Sequence, residues 1–153
     1  MCTAHDAEKF IVWARVIDGL QLAGEVVLDI GCGRGAVLIL AAQRLQSGRA
    51  VGVDLWRKGD QSGNGAAATM RNAGLARVAE HVSVETADMT ALPFGDGSFD
   101  VVFSSLAIHN VRKRDGRVAA IARQYAYSAR AVVRWLPIFA RRSNTSGGSM
   151  RSG

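Results

Sequence analysis

The sequence predicts a single α/β domain built on a parallel sheet with helices on both faces. Three observations point to it. Short aliphatic runs at residues 25–30, 50–54 and 101–103 read as strands buried on both sides. Segments of helical period separate the first of them. Glycines follow the first run at every second position, where the chain has to turn tightly. With 153 residues the chain is one domain, long enough to bury a core.

Taken in order, residues 5–20 place Phe10, Ile11, Trp13, Ala14, Ile17 and Leu20 at helical intervals, with Asp6 and Glu8 in the first turn. This predicts an amphipathic helix over the sheet or the mouth of a pocket. Gly24 ends the approach to the first strand, 25–30. A helix follows at 34–46, its buried stripe formed by Val37, Leu38, Leu40, Ala41 and Leu45. Residues 50–54 form a second strand, at a spacing that suits a right-handed βαβ crossover. A polar loop covers 57–65, where Asn64 caps a helix running to about residue 72, with Gly74 as its stop. After a turn at 77–81, residues 82–85 alternate as a third strand. His81 reads as a surface residue at its start, because no partner is spaced around it for a metal, and no metal is expected. Phe94 and Phe99 are expected in the core, before the fourth strand at 101–103. A further helix is expected at 112–122 with Val118 and Ile121 on its buried side.

Chemistry concentrates where these strands end. Asp29 precedes Gly31, Gly33 and Gly35; a dinucleotide fingerprint would need its third glycine where Ala36 stands, which disfavours a nicotinamide-dependent oxidoreductase. Asp54 ends the second strand nineteen residues beyond Gly35, and a carboxylate there can accept from both hydroxyls of a ribose. An ordinary strand-end acid capping the next turn is the alternative. Asp88 can accept from an amino group or serve as a turn residue, and Met89 can lie flat on a purine. His109, past the fourth strand, is the titratable group there with a pKa near neutrality. It can act on a substrate, or simply pack and bond to the backbone.

The acid followed by Gly31-x-Gly33-x-Gly35, then Asp54, then Asp88-Met89 with Leu92-Pro93-Phe94 and Ser98-Phe99-Asp100, resembles the class I S-adenosylmethionine-dependent methyltransferases over residues 25–123. The resemblance implies a Rossmann-like sheet and S-adenosylmethionine as cofactor. It also implies that Gly31, Cys32, Gly33 and Gly35 make room for the methionine end, while Asp29 anchors the neighbouring loop or the amino group. Asp54 would hold the ribose, Leu55 and Trp56 would lie beside the adenine, and Asp88 and Met89 would contact it. The segment from Ser104 to Asn110 would face the sulfur and the methyl acceptor, with His109 orienting or deprotonating that acceptor. The acceptor itself stays open: small molecule, lipid, protein or RNA.

The end of the chain departs from that family. Residues 1–111 hold nine Lys/Arg and twelve Asp/Glu, a net −3; residues 112–153 hold ten and one, a net +9. The basicity therefore belongs to the last segment, which lacks the aromatic interleaving of a stacking platform, and no specific nucleic-acid partner is expected. No Pro-Gly-Gly turn follows the 112–122 helix. With permitted codons, a shifted frame from Ala126 onward spells Val-Leu-Ser-Pro-Gly-Gly-Arg-Ala-Val-Val-Ala-Asp-Ile, the missing turn and fifth strand. The last ~30 residues are thus expected to be a frameshift product, with a natural short variant as the competing account. The expected organisation is an incomplete methyltransferase domain at 1–123, lacking the last strands of a seven-stranded sheet, and a largely disordered non-family tail at 124–153. An inactive cofactor-binding fragment is accordingly the main alternative to an active enzyme. Cys2 and Cys32 offer no disulfide framework, and neither a spanning run nor a signal segment is present, so a cytoplasmic, membrane-free protein is expected.

Overall fold

A computed structural model of the chain describes residues 4–56, 65–104 and 126–128. The aliphatic runs become the strands β1 (Val26–Ile30), β2 (Arg49–Asp54) and β4 (Val101–Ser104), and the alternating segment becomes β3 (Val82–Thr86). All pair in parallel in the order β3-β2-β1-β4. β1 is central and buried from Val27 to Ile30, which explains why its sequence does not alternate. Asp100 fixes the start of β4: its Oδ2 accepts from the Val26 N–H at 2.8 Å, while its own N–H donates to the Val26 carbonyl at 2.8 Å.

Alternation of side chains across the sheet creates two apolar layers. Val27, Ala50, Val82, Val101 and Phe103 face the helices α1 (Ala4–Asp18), α2 (Ala36–Ala42) and α3 (Ala66–Leu75). Leu28, Ile30, Val51, Val53 and Val102 face the other way, covered by Leu92, Phe99 and Tyr127. All three described helices therefore lie on one face. The further helix expected at 112–122 falls outside the described residues.

The stripe predicted for a 34–46 helix is buried throughout, from Val37 to Leu45, but α2 itself ends at Ala42 and Leu45 packs from the turn that follows. In α1 the expected face is too wide. Trp13 and Ile17 are buried, with Trp13 edge-on to Phe103 at 5.7 Å, but Phe10 and Ile11 are 46% and 53% exposed. The helix rests on α2 along a narrow seam, so apolar residues beside that seam stay in solvent. Gly74 does not stop α3, which continues to Leu75 and turns at Arg77, a non-glycine residue at φ +59°. The cap position is Gly65, without a side-chain bond; Asn64 lies outside the described residues.

Residues 126–128, within the segment expected as a non-family tail, join the fold beside the start of β4. Tyr127 is fully buried, its hydroxyl donates to the Leu92 carbonyl at 3.2 Å, and its ring meets Phe94 edge-on. Ser128 forms a parallel bridge with Phe99.

Candidate functional site

The carboxyl ends of β1, β2 and β4 meet at the glycine turn, the place where open parallel sheets bind ligands. Gly31, Gly33 and Gly35 have φ of +74°, +53° and +87°, left-handed values that a side chain resists, which accounts for the every-second-residue spacing. The turn is tied to β2. The N–H groups of Gly31 and Cys32 both donate to the Val53 carbonyl, at 2.8 and 3.1 Å.

Asp54 closes the same edge. Its Oδ2 accepts from the Gly33 N–H at 2.9 Å and its Oδ1 from the Trp56 N–H at 2.7 Å. A carboxylate has about four acceptor positions, so two remain for a ligand. Trp56 adopts φ +54° and is held by its indole N–H, which donates to the Thr86 hydroxyl at 2.8 Å. Leu55 beside it is exposed.

Asp29 is only 1% exposed and sits on the helix-bearing face, in register with Gly52 and Phe103. Ser104 ends β4 in register with Ile30; it is 3% exposed and its hydroxyl has no hydrogen-bond partner among the described residues. A buried hydroxyl left unpaired costs free energy, which a ligand able to bond it would recover. Asp88 forms a turn: its Oδ1 accepts from the N–H and the hydroxyl of Thr90, at 2.9 and 2.7 Å. Met89 packs under that loop against the second apolar layer. Of the two readings of Asp88, the turn is the one these bonds describe. His109 lies outside the described residues. His81 places Nδ1 3.2 Å from the Gly48 carbonyl, and the described residues contain no cluster suited to a metal.

Cys32 faces inward. A Cβ added to Gly52 would come within 2.8 Å of its sulfur and 2.7 Å of Leu38, so the glycine in β2 makes space for both side chains. Burial, reinforced by the charges of Asp29 and Asp54, pushes the thiol far above its ordinary range. In a Cys2→Ser background the native chain is expected to resist a chromogenic disulfide reagent at about pH 8 and to react fully in denaturant. Because the folded-state pKa is the higher one, this group supports folding fully below ~8.5 and progressively less as pH rises beyond it. Rapid stoichiometric labelling of the native chain would contradict that picture.

Sequence reasoning missed Thr69 and Asn72, which reach the turn from α3. The Thr69 hydroxyl donates to the Gly33 carbonyl at 2.6 Å, and the Asn72 amide donates to the Arg34 carbonyl at 2.9 Å. Only their three-residue separation on one helix face was available as a signal.

Comparison with known proteins agrees with this geometry. A family model described as a methyltransferase domain matches residues 27–127. The chain is 39% identical over 85 residues to demethylmenaquinone methyltransferase from Roseiflexus castenholzii, covering 55% of this chain and 31% of that protein. It is 40% identical over 89 residues to nocamycin O-methyltransferase from Saccharothrix syringae, covering 55% and 28%. The chain thus spans less than a third of the length of the curated relatives it matches. Among solved structures, the CcbJ methyltransferase from Streptomyces caelestis superposes with a TM-score of 0.61 at 17% identity, over 79% of this chain and 50% of that one. At that identity the likeness is one of fold.

Proposed function

The chain belongs to the methyltransferase domain family, and from that premise we propose that it binds S-adenosylmethionine at the glycine turn and directs its methyl group to an acceptor. The observation that carries this reading is the bond from the Gly33 N–H to Asp54 Oδ2, 2.9 Å long, which joins a left-handed glycine turn to a carboxylate with acceptor positions to spare. A turn without side chains admits a ligand close to the backbone, and the Ser104 hydroxyl, without a partner among the described residues, adds a polar contact at the same sheet edge. These residues fit an adenosine-bearing ligand.

When bound, the cofactor supplies an electrophilic methyl group on a sulfonium sulfur. In this proposal Asp54 accepts from the ribose hydroxyls while keeping its bonds to the turn, and Leu55 and Met89 border the adenine. Asp88 accepts from the adenine amino group. Gly31, Cys32, Gly33 and Gly35 form the floor, and Asp29 holds the turn from below. Residues at this edge position donor and acceptor and exclude water, so no protein nucleophile is required. His109 is assigned to orienting or deprotonating the acceptor. No described helix is long and apolar enough to cross a membrane.

Calorimetric titration with S-adenosylhomocysteine tests the reading. Saturable micromolar binding is expected, with no heat from NADH under the same conditions. Absence of binding by S-adenosylhomocysteine would remove the cofactor assignment; binding without turnover of any offered acceptor would leave a cofactor site and remove the transferase.

A further inference from the structure

Every peptide of the glycine turn is held from outside, and α3 supplies two of the holds. Thr69 is fully buried and gives its hydroxyl to the Gly33 carbonyl, while Asn72 one turn later gives its amide to the Arg34 carbonyl. In a trans peptide the C=O and the following N–H point in opposite directions. Fixing the Gly33 carbonyl toward α3 therefore aims the Arg34 N–H away from it, and fixing the Arg34 carbonyl does the same for the Gly35 N–H, which donates to the Cys32 carbonyl at 2.8 Å. Gly33 is gripped at both ends, since Asp54 takes its N–H from the opposite side. Contact is close as well: a Cβ at Gly35 would lie 2.8 Å from the Thr69 methyl group, so the turn and the helix are fitted to each other.

We propose, resting on the assignment of this turn to the cofactor, that Thr69 and Asn72 are positioning residues that set the peptide orientations of the glycine turn for S-adenosylmethionine. Glycines gain most from such an arrangement, because they lose most freedom when ordered. A turn already oriented spends less of the ligand's binding energy on ordering itself.

The test separates the hydroxyl from the shape. Thr69→Val keeps the volume and removes the donor; Thr69→Ser keeps the donor and removes the methyl group. Binding of S-adenosylhomocysteine is expected to weaken about tenfold in T69V and to stay within about twofold of the native value in T69S, as the loss of one well-placed hydrogen bond predicts. Asn72→Ala, at a partly exposed position, is expected to weaken binding about threefold to fivefold and keeps the proposal testable if T69V does not fold. Amide exchange at residues 33–35 without ligand is expected to accelerate in T69V and N72A, and not in T69S, while exchange in β1 is unchanged. Native-like binding by T69V, or equal weakening by T69V and T69S, overturns the proposal. Failure of the native chain itself to bind would instead overturn the cofactor assignment, and the exchange rates would still report whether α3 orders the turn.

Discussion

Replacing Asp54 with asparagine is expected to weaken S-adenosylhomocysteine binding about a hundredfold, equivalent to roughly 2.8 kcal/mol. The carboxylate accepts from two backbone donors, one on each oxygen, at 2.9 and 2.7 Å. An asparagine has one acceptor oxygen, so its NH₂ group must face either the Gly33 or the Trp56 N–H, donor against donor. A charge-assisted bond worth about 1.5–3 kcal/mol is lost and an adjacent donor is stranded. Asp54 is only partly buried, so the accompanying loss of stability is expected to be smaller, about 1–2 kcal/mol in urea. Calorimetry on D54N, with circular dichroism as a check on folding, decides the matter. Binding within threefold of the native chain would mean that this carboxylate is no anchor.

Tyr127→Ala should produce the largest change in stability, about 3–5 kcal/mol, because a fully buried aromatic ring leaves a cavity. That is a sizeable share of a domain's usual margin of about 5–15 kcal/mol. The ring closes the layer under Leu28, Val102 and Phe99, and its hydroxyl serves the Leu92 carbonyl. Tyr127→Phe retains the ring and loses that bond, for an expected cost of about 1 kcal/mol. Urea unfolding followed by tryptophan fluorescence measures both. A Y127A variant within 1 kcal/mol of the native chain would show that residues 126–128 are not part of the core.

The features visible in the sequence are those whose cause is local. β1 and β2 are mostly apolar without alternating because neighbours cover both faces, and such a run survives any uncertainty about what those neighbours are. The turn was visible because its left-handed residues fall within five consecutive positions and had to be glycine. Asp54 was visible through its place at a strand end. By contrast, Thr69 and Asn72 contact the turn across 36 and 38 residues of chain, and nothing in their own surroundings marks them. Gly74 misled because glycine ends a helix only where the backbone turns left-handed, and here Arg77 makes that turn. Phe10 and Ile11 misled because periodicity gives an apolar face without giving the width of the surface that receives it. Gly52 carried an unused signal: a glycine inside a buried strand marks close approach, in this case by Cys32 and Leu38.

The strand order also imposes a timetable during synthesis. β1 finds β2 soon after both leave the ribosome, but its other edge is completed by β4, whose Asp100 lies 74 residues beyond Val26. At about 5–20 residues per second that interval lasts roughly 4–15 s. Throughout it this central strand carries an open row of N–H and C=O groups, a template for pairing with other chains. Its aggregation hazard is therefore greatest on the nascent chain, and slower translation through the stretch before β4 should lower the yield of folded protein.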